Sequence, residues 1–251
     1  MPALDPAVER VLTALVGGLR TLDVRFCVVG ALVPELLLAE RPAVRTNDAD
    51  AVVMVADLAA FEAVKAGLVP AGFSPTRLAH RLGYAGGGVA DLLPYGRELA
   101  PDGILRLAPD SRINLAGFEC LSASAVDVAL DSGLVVPVAP LPLFVLLKLV
   151  AYTDRRAEKD LEAVEHVLRH YAEDDDRRFG LESVDGLVPY ECGPAYLAGL
   201  DGAEFPDATL RSLVGPLLEQ LGDAPSPSRD EDERRLPREE LFAWYRRGLA
   251  L

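Results

Sequence analysis

Two aspartates stand two residues apart, Asp48 and Asp50 in the segment Arg45-Thr46-Asn47-Asp48-Ala49-Asp50, at the mouth of an apolar run from Ala49 to Val55. Side chains at i and i+2 leave a strand on one face, so a strand here holds both carboxylates side by side. Two such charges repel one another unless a cation sits between them. Hard oxygen donors of this kind suit Mg2+, which binds one or two carboxylates and completes its shell with phosphate oxygens and water. Asp91, in Val89-Ala90-Asp91-Leu92-Leu93-Pro94, is a polar residue inside another apolar strand. A third acid on a neighbouring strand would complete a metal pair and take a proton from an attacking hydroxyl, as in-line displacement at phosphorus requires.

The elements that must hold these residues follow from periodicity. Val8, Val11, Leu12, Leu15, Val16 and Leu19 recur at helical spacing over 6–20, and Val24 to Val29 reads as the strand that follows. Gly30 ends that strand and Ala31 to Glu40 reads as a short helix, a strand-glycine-helix turn that lets backbone NH groups approach a phosphate. After the Ala49–Val55 strand, Asp57 caps a helix running to about Leu68. Arg81–Ala85 and Val89–Tyr95 form a hairpin joined by Gly86-Gly87-Gly88. Further strands are expected around Ile104–Leu107 and Phe118–Leu121. From Pro140 the texture turns helical, with Leu143–Tyr152 and Glu158–Tyr171 as helices. In an unbroken helix Lys148, Arg155 and Lys159 would share one face, with Thr153-Asp154 the place where it would break. The expected fold class is α+β: a mixed-sheet domain over 1–138, then a mainly helical domain over 139–251. Residues 223–235 read as an exposed linker, and Pro237 opens a last amphipathic helix.

The net charge of −14 argues against broad, sequence-independent nucleic-acid binding, which draws its affinity from Lys and Arg. Residues 1–150 hold 16 acids and 12 bases, so a local basic patch around Arg77, Arg81, Arg97, Arg106 and Arg112 stays open on that half. The longest greasy run, Leu134–Leu147, is interrupted by Pro137, Pro140 and Pro142 and falls short of the ~20 residues of a membrane span. With no leader pattern at the N-terminus, the expectation is a soluble, cytoplasmic protein that engages no membrane. Cys27, Cys120 and Cys192 are odd in number and far apart, which fits reduced, buried residues better than a disulfide or zinc framework. Of the 25 basic residues only Lys65, Lys148 and Lys159 are lysines, and Lys148 follows five apolar residues, which would bring its amine out of a buried helix toward a polar cavity.

The segments Val28-Val29-Gly30-Ala31, Arg45 to Val53, Val89 to Leu93 and Leu147 to Asp160 resemble the nucleotidyltransferase-fold toxins of abortive-infection systems, the AbiEii-like group of type IV toxin-antitoxin pairs. The resemblance spans roughly residues 24–165, and its Thr-x-Asp-x-Asp and Lys…Arg…Lys-Asp elements are the most specific. It implies a nucleotidyltransferase-fold domain followed by a helical one, with Mg2+-dependent transfer of a nucleotide from a nucleoside triphosphate to an acceptor hydroxyl. On that likeness Asp48, Asp50 and Asp91 bind metal, Lys148 contacts the triphosphate, and Asp160 shapes the site from the helical domain. Gly30, Ala31, Arg45, Thr46, Arg155 and Lys159 fall on its substrate-binding side. The acceptor would be tRNA or another RNA end, a protein side chain or a small molecule, and an antitoxin protein would be the partner. Many such enzymes have Gly-Ser where this chain has Gly30-Ala31, so a phosphate-binding hydroxyl is missing. That departure and the acidity support an alternative, a catalytically weak or inactive nucleotide-binding regulatory protein of the same fold.

Overall fold

The computed structural model describes residues 4–42, 46–96, 98–108, 111–172, 176–184, 188–223 and 236–250. Arg45, Arg97 and residues 224–235, which include most of the expected linker, lie outside them. The chain divides into two compact units, Met1–Pro140 and Leu141–Leu251.

The first unit opens with α1 (Pro6–Thr21), whose start is fixed by Asp5 accepting a 2.8 Å bond from the Ala7 NH and by Pro6 in the first turn. Its apolar stripe, Val8 to Leu19, is buried, and the helix packs along two sheet strands. There follow β1 (Phe26–Val29), α2 (Leu32–Leu37), β2 (Asp48–Met54) and α3 (Leu58–Gly67), the last capped by Asp57 on the Ala60 NH at 2.7 Å. Next come β3 (Phe73–Pro75), β4 (Arg81–Tyr84), β5 (Val89–Tyr95), the short pair β6 (Ile104–Leu105) and β7 (Ile113–Asn114), and α4 (Phe118–Ser124). The hairpin β8 (Val126–Ala129) and β9 (Val135–Val138) closes the unit.

Seven strands form one mixed sheet in the order β3-β4-β5-β2-β1-β9-β8. Strands β2 and β5 are parallel neighbours at its centre, while β1 runs antiparallel to β2, and β4 antiparallel to β5. One expectation needs correction. Phe118–Leu121 is the start of a helix: Gly117 enters it at φ 84°, and the buried pair Phe118 and Leu121 has the three-residue spacing of a helix face. The strands β8 and β9 carried no clear signal, because β9 contains Pro137 and runs into the apolar helix that follows.

The second unit is helical: α5 (Leu141–Arg155), α6 (Glu158–His170), α7 (Arg177–Val184), α8 (Gly193–Gly202), α9 (Ala208–Gly222) and α10 (Arg238–Gly248). Helix α5 continues through Thr153-Asp154 and stops only where Arg156 turns left-handed at φ 51°. Helices α8 and α10 cross where Gly199 and Gly248 leave no room for a Cβ: one at Gly199 would lie 2.2 Å from the Tyr245 carbonyl oxygen, and one at Gly248 2.1 Å from that of Tyr196. Among the described residues no helix is long and apolar enough to cross a membrane.

Candidate active site

Alternation along β2 places Asp48 and Asp50 on one face, while Ala49 and Ala51 are buried on the other. The parallel register sets Asp50 directly beside Asp91 of β5, and on the far side of β5 the antiparallel register sets Arg81 of β4 opposite Asp91. Arg81, Asp91 and Asp50 therefore stand in one row across three strands, with Asp48 one pleat along.

Arg81 bridges Asp91 and Asp48. Its Nε and NH2 groups donate to the two oxygens of Asp91 at 2.7 Å each, and NH2 also donates to Asp48 Oδ2 at 3.1 Å. The fork onto Asp91 is the geometry in which a guanidinium and a carboxylate bind most strongly. The Asp91 hydrogen bond, and then the charges of Asp91, Asp48 and Asp50, hold the guanidinium above its ordinary range against the opposing effect of burial. The side chains of Arg81 and Asp48 are each about a third exposed, so the cluster opens to solvent.

Neighbouring residues fix the carboxylates. Gly30 has φ 73°, and a Cβ there would lie 1.9 Å from Asp50 Oδ2, so the Asp50 carboxylate occupies the space that the missing side chain leaves. Thr46 Oγ1 accepts from the Asp48 NH at 3.1 Å, and the Thr46 NH in turn donates to the buried Glu35 Oε1 at 3.3 Å. Thr46, expected on the substrate side, thus serves the backbone of the first aspartate. Ala31 stands at the N-terminus of the six-residue α2 and caps it with no side-chain hydrogen bond. On the other flank, buried Lys65 donates to the Ala79 carbonyl at 2.9 Å, two residues before Arg81.

The second unit has a cluster of its own. Asp160 is fully buried and accepts from Lys148 Nζ at 3.1 Å and from Arg155 Nε and NH2 at 2.6 and 2.5 Å. Burial by itself would raise the Asp160 pKa, but the Arg155 hydrogen bonds and the Lys148 and Arg155 charges bring it below the usual carboxylate value. The Lys148 amine also lies 5.7 Å from the Phe144 ring centre. The amine that was expected to reach a polar cavity is thus engaged by a buried acid. Lys159 is exposed on α6, on a different helix from Lys148 and Arg155.

No family model matches this chain, and no curated relative does. Among solved structures, an antigenic nucleotidyltransferase-like protein from Paracoccidioides brasiliensis is 16% identical over 66% of this chain and 77% of its own, with a TM-score of 0.46. The antibiotic-resistance factor ANT(2'')-Ia is 10% identical over 63% of this chain and 80% of its own, TM-score 0.39. The cyclic dinucleotide synthase CdnE of Elizabethkingia meningoseptica, solved with GTP and Apcpp, is 13% identical over 98% of this chain and 93% of its own, TM-score 0.31. The chemistry of this chain rests on its own side chains.

Those side chains suit a divalent cation in donor type. Asp48 and Asp91 already converge on one positive group, Arg81 NH2, at 3.1 and 2.7 Å, so a cation position exists between them. Among the described residues no set of three or more His, Cys, Asp and Glu side chains is gathered tightly enough to ligate a metal.

Arg81 is the residue that the sequence reading missed, having been counted only among scattered arginines of a basic patch. Of that patch, Arg97 lies outside the described residues, Arg81 serves carboxylates, and Arg106 pairs with Asp102 at 2.7 Å. The usable signal was the hairpin. Once Gly86-Gly87-Gly88 is read as its turn, Arg81 and Asp91 fall on one face of adjacent strands.

Proposed function

We propose that this chain is a metal-dependent nucleotidyltransferase that moves a nucleotide from a nucleoside triphosphate to an acceptor hydroxyl. The observation that carries the reading is the row formed by Asp50 and Asp91 on parallel neighbouring strands, with Asp48 one pleat away on the same face. Asp48, Asp50 and Asp91 would hold Mg2+, which when bound withdraws charge from phosphate oxygens and offsets the charge of the departing group. In the reaction the acceptor oxygen forms a bond to the α-phosphorus, the bond to the β-phosphate oxygen breaks, and pyrophosphate leaves with that electron pair. Asp91 is the carboxylate given the acceptor's proton, since a base must lie within hydrogen-bond reach of the attacking hydroxyl. The resemblance would assign phosphate charge to Lys148 and Arg155 as well; within the second unit Asp160 engages both.

The finer assignment follows the AbiEii-like resemblance: a toxin of a toxin-antitoxin pair, acting on tRNA or another RNA end, with an antitoxin as its protein partner. The test is incubation with each labelled nucleoside triphosphate, Mg2+ and total cellular RNA and protein. Label should enter one acceptor class, and the D48A/D50A variant should transfer none. Equal labelling by that variant would sink the assignment.

A second reading, a catalytically weak or inactive nucleotide-binding regulator, is favoured by the Arg81 bridge across Asp48 and Asp91 and by Ala31. Nucleotide binding without pyrophosphate release, for every acceptor offered, would select it.

A further inference from the structure

We infer that Arg81 is a resident counter-cation of the carboxylate row, which competes with divalent metal for Asp48 and, once displaced from it, takes up a phosphate of the bound nucleotide. This rests on the reading of Asp48, Asp50 and Asp91 as a metal site.

The geometry gives the two grips of Arg81 different strengths. Asp91 is held by two donors at 2.7 Å, whereas Asp48 is held by one longer bond of 3.1 Å from an NH2 group already shared with Asp91. A bidentate charge-assisted pair is much the stronger, so the Asp48 contact yields first. Asp48 is also the more exposed of the two acids, 34% against 17% for their side chains, and so the more accessible to an entering ion.

Release of Asp48 leaves the guanidinium anchored on Asp91 with one N–H of NH2 redirected. Its NH1 group makes no hydrogen bond among the described residues, so the fork keeps a second donor edge. Guanidinium donors recognise phosphate oxygens in the same planar fashion as carboxylates. The Lys65 bond to Ala79 and the backbone bond from Leu92 N to His80 O, at 2.9 and 2.8 Å, hold the start of β4, so the exchange needs only side-chain rotation. Metal and nucleotide then favour one another: nucleotide draws Arg81 off Asp48, and metal on Asp48 frees Arg81 for phosphate. Binding sites linked in this way must show the same coupling in either order of addition.

The experiment measures Mn2+ alone, by paramagnetic resonance titration, on wild type, R81Q and R81K, and then a nonhydrolysable triphosphate analogue in saturating Mn2+. R81Q should bind Mn2+ about tenfold more tightly than wild type, because a cation competing for the same oxygens is gone. It should bind the analogue about tenfold more weakly. R81K keeps the charge without the fork, so it should lie between the two in metal affinity and guards against a folding failure of R81Q. In wild type, Mg2+ added without nucleotide should shift the Arg81 Nε–H resonance, an effect that needs no variant. Equal or weaker Mn2+ binding by both variants, with an unmoved resonance, overturns the inference while leaving the metal site intact. Absence of Mn2+ binding in wild type and in both variants overturns the metal site and this inference together.

Discussion

Two charged clusters of this chain, one in each unit, are built on opposite ratios. On the sheet, one guanidinium serves two carboxylates, Asp48 and Asp91, at a position about a third exposed. In the helical unit, one carboxylate with no exposure, Asp160, serves two cations, Lys148 and Arg155. A buried acid between two cations is stabilised by its partners and completes a fold, whereas acids that share one cation at an open sheet face retain a demand for positive charge. On the proposed function, the helical cluster is structural support and the sheet cluster is where a further cation would bind. Substitutions should therefore separate stability from ligand response in opposite ways at the two places.

The largest effect belongs to Asp160. Replacing it by Asn leaves Lys148 and Arg155 facing a neutral buried amide and should cost about 3 kcal/mol in urea unfolding, the usual scale for breaking a buried pair from one side. A loss below about 0.5 kcal/mol, typical of a surface change, would remove the contrast between the clusters. Next comes Gly30→Ala. Its Cβ would meet Asp50 Oδ2 at 1.9 Å in a backbone of φ 73°, which costs about 1–2 kcal/mol for the left-handed conformation before any displacement of Asp50. Thermal unfolding should fall accordingly, and Mn2+ should no longer raise the midpoint. Retained metal response would mean that Asp50 is not a ligand. Asp48→Asn should be smaller in stability, within about 1 kcal/mol of wild type, since its bond to Arg81 is part-buried and single. It should nonetheless abolish the stabilisation that Mn2+ and nucleotide give. A large loss of stability with ligand response intact would make Asp48 a structural residue and reverse its assignment.

The contrast between the clusters was only partly legible in the sequence. Asp48 and Asp50 declare themselves because strand alternation is local: two residues always return to the same face. Their juxtaposition with Asp91 is a tertiary fact, since β2 and β5 are parallel neighbours separated in sequence by α3, β3 and β4. The role of Arg81 depended on hairpin register, where a slip of two residues keeps the face and changes the partner. Asp160 was expected to shape a site, but its grip on Lys148 and Arg155 needs the left-handed turn at Arg156 that folds α6 back against α5. A single positive φ in an arginine leaves no compositional trace. The same limit applies to Gly30: its positive φ was not legible, nor was the Asp50 carboxylate that lies where its side chain would be.

The smallest expected effect is read through pH. In the folded chain Asp160 has its pKa brought below the usual carboxylate value, with burial opposing and the Arg155 hydrogen bonds and Lys148 charge prevailing. The unfolded chain binds that proton at about pH 3.9. A depressed folded value means that the stabilisation is complete above the unfolded pKa and is lost as pH falls through the folded one. Wild type and D160N should therefore differ by a constant margin near neutral pH, and the margin should narrow below about pH 4 as the unfolded chain takes up protons that the native cluster resists. Urea midpoints from pH 7 to pH 2 measure it directly. A margin that stays constant across that range would mean that Lys148 and Arg155 do not hold Asp160 ionised. The helical cluster would then lose its claim to be a keystone of the fold.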